Sequence, residues 1–395
     1  MKTCDVLVIG GGLMGCATAF DLAIRGYKVI VAEKNGAPGL ETTAKSGAII
    51  RAHYGVPQLV EMALEANRRF IDFHEIYGGD AGFSRCGYSV LVDENDVETL
   101  KRNVEMQRGL GVDVQLIAPV ELREIVPAVK IDDVALVAYE KDGGYALPAQ
   151  TIASFSRGAK SCGTEFLFDA PVLAARAVRN GWHIELGSGE IVSCDQIVIC
   201  TGNWSRGVGR IFGLELPVVP MRAQIVVAAR PSNFAGDFPI VSDLINLAYF
   251  RAEGASGMWV GSSDSADLAD FQGVPSQNEA IEHNPEADEK AIADAQHKAS
   301  LRFEGMEQGV ERAFCGLYET TPDWQPIIDS FETVHVAVGF SGHGFKLSTV
   351  IGEEMACRIE GKNSPFPTEI FDLERFQDGR TISSTHSYER AKFLR

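Results

Sequence analysis

Asp5-Val6-Leu7-Val8-Ile9-Gly10-Gly11-Gly12-Leu13-Met14-Gly15 stands near the start of the chain, and its reading decides the fold. Residues 5–9 form a short apolar run that reads as a strand. After the glycines come the apolar-periodic stretch CATAFDLAIRG and then YKVIVAEK, so the order is strand, glycine turn, helix, strand. Gly26 is placed to end the helix, and Glu33 closes the second strand. Gly10 suits the tight turn, Gly12 the close approach of a pyrophosphate to the backbone, and Gly15 the packing of helix on strand. Leu13 and Met14 open the helix whose N-terminus takes the phosphate charge. Glu33, 18 residues after Gly15, is in register to accept hydrogen bonds from an adenosine ribose, and its charge repels a 2′-phosphate. A glycine-rich turn without a ligand is the plainer reading of such a motif; the strand before it and the acid in register count against that.

The chain has 395 residues, more than one core usually organises, so two domains are expected. A formal net charge of −18 argues against nucleic acid, which needs a basic stripe, and serves solubility instead. No apolar run approaches membrane-spanning length, and no signal-peptide pattern precedes the first strand, so a cytoplasmic enzyme is the expectation. The eight cysteines show neither a CxxC pair nor zinc-ligand spacing; most read as reduced core filler, and no metal site is expected.

Helical periodicity marks 57–78, 93–111 and 148–162, with CGYSVLV between the first two as a strand of a different sheet. Alternating segments from 166 to 200 predict a β-meander returning to a buried strand. The acidic stretch 262–308, broken by Pro275 and Pro285, reads as partly helical with its charges in solvent. Near the end, VHVAVGFSGHGFKLSTVIGEEMACRIEGK is a further strand, glycine-rich turn and helix.

The loop after the second strand, APGLETTAKSGAIIRAHYG, favours FAD over NAD. It is rich in small and hydroxyl-bearing residues that can wrap a pyrophosphate, where a short NAD enzyme usually continues into a third βα unit. Thr201-Gly202-Asn203-Trp204 follows a buried strand, where a small residue lets the backbone lie against a dinucleotide.

With these motifs in hand, the sequence resembles the D-amino-acid-oxidase-like flavoprotein family, in the branch of the sarcosine and glycine oxidases. GFSGHGFK at 339–346 is the most specific piece, supported by SGAIIRAHYG at 46–55, PMRAQ at 220–224 and GLYETTPDWQPIID at 316–329. The resemblance implies an α/β architecture: a Rossmann-like FAD-binding domain of the glutathione-reductase type and a second, mixed β-sheet substrate domain. The division expected is 1–85, 143–215 and 310–375 for the cofactor, and 86–142 with 216–309 for the substrate. Beside the fingerprint residues, it implies cofactor contacts from Lys34, Thr43, Ser46, Gly47, Ala48, Val172, Thr201, Gly202, Trp204, Gly342, Gly344, Phe345 and Lys346. It further implies hydride transfer from the carbon beside a substrate nitrogen to flavin N5, giving an imine that hydrolyses. Arg51 and Lys346 match the two positions that clamp a substrate carboxylate, and Tyr318 matches a pocket tyrosine. His343 lies in the same turn as Lys346, where a backbone role or a satisfied hydrogen bond is weighed above acid–base catalysis; His53 and Tyr54 are similar cases.

Three departures from monomeric sarcosine oxidase follow. Gly316 stands where that enzyme tethers its flavin through cysteine, with Cys315 one residue off, so FAD is expected to be non-covalent. Trp259, in Gly257-Met258-Trp259-Val260-Gly261, stands where it carries an oxygen-activating lysine, which raises the standing of a dehydrogenase against an oxidase. Ala48 and Ser263 stand where its pocket has an arginine and a histidine, so the pocket is remodelled and sarcosine itself is not assumed as the substrate. The expected partners are a small amine or amino acid and an electron acceptor, either oxygen or a partner protein or quinone. A flavin subunit of a multi-subunit assembly is the alternative; its second redox centre would lie on another chain, since no cysteine cluster here could hold one. A flavin hydroxylase and an NAD-dependent dehydrogenase stay open as third readings, and composition sets no oligomeric state.

Overall fold

The computed structural model describes residues 1–264, 284–306 and 309–390. The opening strand, Lys2–Ile9, is the middle of the first sheet. Its alternation serves two cores at once: Val6 and Val8 face one apolar cluster, Leu7 and Ile9 the other. Strands Val29–Ala32 and Ile191–Ile199 flank it in parallel; Glu165–Leu167 and Val334–Val338 extend the parallel set outward. Ile327–Phe331 closes one edge antiparallel, and the hairpin of Val172–Val178 and Gly181–Leu186 branches from Ile191–Ile199.

Helices Leu13–Ile24 and Gly344–Ile359 pack against each other on one face of this sheet. Gly352 makes that contact close: a Cβ there would stand 2.8 Å from the Ala17 carbonyl oxygen and run into the Asp21 carboxyl. Both helices start from glycine turns at the ends of parallel strands, so their N-termini open on the same side of the sheet.

The second sheet runs in the order Val310–Thr320, Val219–Ala229, Gly257–Ser262, Ala248–Glu253, Ile240–Asp243, Tyr88–Val92, Leu136–Glu140, Val114–Ile117. It is mixed, with one parallel pair, Ile240–Asp243 beside Tyr88–Val92. One face packs on helix Glu289–Arg302 around Phe250 and Phe303. Register puts Ala223, Ile225, Ser242, Tyr249, Gly316 and Tyr318 on the other face.

Several expectations shift. The 57–78 helix divides at Asp72 into Pro57–Ile71 and Phe73–Tyr77. Val310–Thr320, grouped with the cofactor segments by sequence, is the edge of the second sheet, paired along its length with Val219–Ala229. An alternating apolar strand carries no mark of which sheet it will join. In the acidic stretch, 265–283 lie outside the described residues. Of its charges, Arg302 is not solvated: it is fully buried, 2.8 Å from Asp243 and 2.8 Å from Asp133. Among the described residues no helix is long and apolar enough to cross a membrane, and no His/Cys/Asp/Glu group could hold a metal ion. All eight cysteines are free, and six of them are buried.

Candidate active site

An elongated cavity runs between the two sheets, from the first helix N-terminus to the second. At one end the fingerprint turn is held by Glu33, whose Oε2 accepts from the Gly11 N–H at 2.7 Å and whose Oε1 accepts from the Asn35 N–H at 2.8 Å. Burial raises the Glu33 pKa, and these two backbone donors oppose the rise. Lys34 lies 3.9 Å over the Trp204 ring and pairs with Glu41 at 2.7 Å, closing the wall that Val172 completes from the hairpin.

The glycines divide by task. A Cβ on Gly10, whose φ is +103°, would run into the Cys200 carbonyl, so the turn can only be glycine. A Cβ on Gly12 would meet nothing nearer than Thr43 Oγ1 at 3.8 Å; the space beyond it is cavity. Gly15 does not line the cavity. A side chain there would strike the Gly10 carbonyl, so it sets helix packing and has no contact surface for a ligand.

The loop after the second strand forms the next wall. Thr43 Oγ1 accepts from the Leu13 N–H at 3.3 Å, and Asn203 donates to Thr42 Oγ1 at 2.9 Å, tying the loop to the fingerprint and to the Thr201–Trp204 turn. Ser46 Oγ accepts from the Ala48 N–H at 3.0 Å, and Ala48 takes a left-handed φ of 50°. Gly47, Thr201 and Gly202 also line the cavity. Gly316 leaves room for the Lys45 side chain, whose Cβ would be 3.3 Å from a Cβ at 316.

At the far end Arg51, Lys346, Tyr54 and His343 come together. The Arg51 guanidinium lies 4.1 Å and the Lys346 ammonium 5.7 Å from the Tyr54 ring centroid, and His343 meets that ring edge-on at 5.2 Å. Arg51 and Lys346 are 7% and 5% exposed, yet among the described residues no carboxylate forms an ion pair with either. Two desolvated cations side by side are costly unless an anion joins them. Burial, and then Arg51, push the Lys346 pKa well below its usual value. Burial, and then Lys346 and Arg51, push His343 down as well, so it is neutral, with its Nε2 buried and unpartnered. The side chain of His343, and not only its backbone, belongs to this cluster.

Tyr318 closes the pocket from the second sheet. Its ring would stand 3.4 Å from a Cβ on Gly342, and it shares a side-chain hydrogen bond with Tyr249. Phe345 and Gly344 begin the second helix beneath it.

Of the cofactor-contact, clamp and pocket residues expected from sequence, the structure gathers all but Gly15 along one cavity, while His53, Tyr54, Cys315 and Trp259 stand outside its lining. It adds residues the motifs did not flag. Tyr249 is one, and Gly261 opposite was its signal, because a side chain at 261 would overlap the Tyr249 ring. Glu319 is another: half-buried beside Gly202, with its Oε2 enclosed and unpartnered, its carboxyl is pushed up to about 7 by desolvation, a rise that backbone N–H groups of Phe340 and Gly339 oppose. Trp259 does not line the cavity; its indole stands behind the loop, 3.6 Å from where a Gly47 Cβ would be, with Arg251 4.5 Å over its ring.

A doubly wound sheet, a glycine cradle at a helix N-terminus and a ribose-type acid behind it define a dinucleotide-dependent oxidoreductase. Residues 5–358 match the model of the FAD dependent oxidoreductase family, and the chain belongs to that family. It is an FAD-dependent oxidoreductase, and the open space at Gly12, with the hydroxyls of Thr43 and Ser46 beside it, fits the cofactor. The chain is 25% identical over 407 residues to human mitochondrial dimethylglycine dehydrogenase, covering 98% of this chain and 46% of that protein. It is 26% identical over 385 residues to monomeric sarcosine oxidase of Streptomyces avermitilis, covering 94% of this chain and 98% of that one. Among solved structures, L-proline dehydrogenase from P. horikoshii superposes with a TM-score of 0.86 at 26% identity, over 96% of this chain and 100% of that chain. The chain thus spans less than half of the human relative's length.

Proposed function

We propose that this protein oxidises a carboxylate-bearing secondary amine or amino acid. The observation that carries the reading is the pair of buried cations, Arg51 and Lys346, with which no carboxylate among the described residues forms an ion pair. A substrate carboxylate supplies the missing charge and is fixed in orientation by the guanidinium fork and the ammonium. Bound FAD would supply the hydride acceptor for the carbon next to the substrate nitrogen, and loss of the nitrogen's proton would leave an imine that water hydrolyses. Tyr318 walls the carbon skeleton, and neutral His343 offers a hydrogen-bonding nitrogen without adding a third positive charge. Cys315, one residue from Gly316, is buried with its Sγ toward the Gly316 carbonyl, which supports non-covalent FAD. The domain division proposed keeps 1–85, 143–215 and 321–375 with the cofactor.

A dehydrogenase working with a partner protein or quinone is the second reading. It is favoured by Trp259, an uncharged ring where monomeric sarcosine oxidase carries its oxygen-activating lysine. The test is anaerobic bleaching of bound flavin by a panel of N-methyl, cyclic and D- or L-amino acids, followed by admission of air. Bleaching by carboxylate-bearing amines and not by their decarboxylated analogues supports the clamp; equal bleaching by both sinks it. Rapid recolouring in air with peroxide formation would overturn the dehydrogenase reading.

A further inference from the structure

The family match ends at residue 358, and the chain beyond it comes back to the substrate end of the cavity. Arg375, buried, pairs with Asp323 at 2.9 Å and fixes the start of the return. From there the tail reaches the segment that carries Arg51. Residues 51–55 belong to no helix or strand, so their backbone is held from outside. Glu140 Oε2 accepts from the Ala52 N–H at 2.9 Å, Gln107 donates to the Tyr54 carbonyl at 3.0 Å, and the Thr385 N–H donates to the Gly55 carbonyl at 2.8 Å. Gly55 leaves the room that Ser384 fills.

The fourth tether is Tyr388. It is 5% exposed, and its hydroxyl is 2.7 Å from His53 Nε2 with the two rings nearly parallel at 22°. His53 is 1% exposed, and its carbonyl oxygen accepts from Arg51 Nη1. Burial and the charge of Arg51 hold the His53 pKa down to about 3, so the ring is neutral. A neutral ring has one proton, so the His53 Nε2–Tyr388 hydroxyl contact is a hydrogen bond in either tautomer; with the proton on Nδ1, which lies 4.0 Å from Glu140 Oε1, Nε2 accepts from the hydroxyl. Two anchors beyond the pocket keep the tail in place: Asn103 donates to the His386 carbonyl at 3.0 Å, and Asp96 Oδ1 accepts from the Glu389 N–H at 3.1 Å.

We infer that the C-terminal segment 384–389 is a strap that positions the carboxylate clamp, with Tyr388 acting through His53 on Arg51. The inference rests on the reading of Arg51 as a carboxylate ligand. Tyr388 is a positioning residue: it reaches His53 and does not line the cavity. A guanidinium must be fixed in both place and plane to bind a carboxylate through two nitrogens, and a segment without regular structure cannot fix it alone.

The experiment uses the full-length, FAD-loaded protein and titrates acetate, propionate and butyrate, read by perturbation of the bound-flavin absorbance. Y388F should weaken carboxylate binding about tenfold, the usual consequence of one lost buried hydrogen bond. It should raise KM in parallel with kcat within about twofold, keep its FAD and melt close to wild type. D96A loosens the strap while leaving Tyr388 in place, and should weaken the same carboxylates about threefold. A wild-type carboxylate response that both variants leave unchanged would overturn the strap alone. Loss of FAD from both variants would also overturn it, by assigning the tail a general structural role. No saturable response in the wild type, with R51M behaving the same, would overturn the clamp and the strap together.

Discussion

Arg51 and Lys346 approach the ring of Tyr54 at 4.1 and 5.7 Å, from segments almost three hundred residues apart, and among the described residues neither forms an ion pair with a carboxylate. On the proposed reading, a pocket that buries two cations selects for a ligand that neutralises them. Removing either cation leaves the other to carry the anion alone, and charge-assisted hydrogen bonds of this kind contribute about 1.5–3 kcal/mol. R51M and K346M should each raise KM for a carboxylate substrate by about ten- to a hundredfold in steady-state kinetics, with R51M the larger because its fork is bidentate. An unchanged KM in both would remove the clamp.

Lys346 also sets a pH dependence. Burial and Arg51 lower its pKa well below 10.5 in the free site, and a bound carboxylate favours the ammonium again. Carboxylate affinity should therefore be full at low pH and fall as pH climbs through the depressed value. K346R stays charged over that range, so its affinity profile should be flat where the wild type declines. Identical profiles would show that Lys346 does not titrate in the site.

Glu33 holds the fingerprint turn with both carboxylate oxygens. E33A leaves two buried N–H groups without acceptors and removes the expected ribose contact. FAD should bind it about ten- to a hundredfold more weakly, measured by flavin fluorescence quenching on reconstitution of the apoprotein. E33Q, which keeps one acceptor, should fall between the two.

Asp21 gives a prediction about stability alone. It sits in the fingerprint helix against Gly352, 7% exposed, with Oδ2 unpartnered. Burial raises its pKa from 3.8 to about 7, with Arg69 pulling it down and Glu353 up. The folded state therefore holds a proton that the unfolded chain releases, so its contribution is complete below about pH 4 and is lost as pH rises toward 7. D21N carries no charge in either state and should melt a few degrees above wild type at pH 8, with little difference at pH 4. A gain of equal size at both values would mean that Asp21 is ionised in the fold.

Non-covalent FAD is checked most directly. Acid precipitation should leave a colourless pellet and all of the flavin in the supernatant; flavin retained in the pellet would point to a tether that Gly316 and buried Cys315 do not explain.

Much of the cofactor site was legible because local chain geometry builds it. A tight turn, a helix start and an acid at the end of the next strand are set by residues close in sequence, and glycine is demanded where Gly10 faces the Cys200 carbonyl. The meeting of Arg51 and Lys346 was legible only through resemblance: they look like surface cations until two turns are folded together. Tyr249 and Glu319 were not read at all, since an alternating strand does not say which face looks into a cavity.

What the sequence by itself determined is the cofactor class and the alternation of strand and helix that holds it, since these follow from periodicity and turn chemistry over short distances. Only the tertiary structure decided that Val310–Thr320 joins the second sheet, that Arg302 is a core ion-pair residue, and that Tyr388 returns to His53. Each of those depends on a pairing between distant segments, where burial and hydrogen-bond satisfaction are settled by which surfaces meet, and no local pattern records that choice.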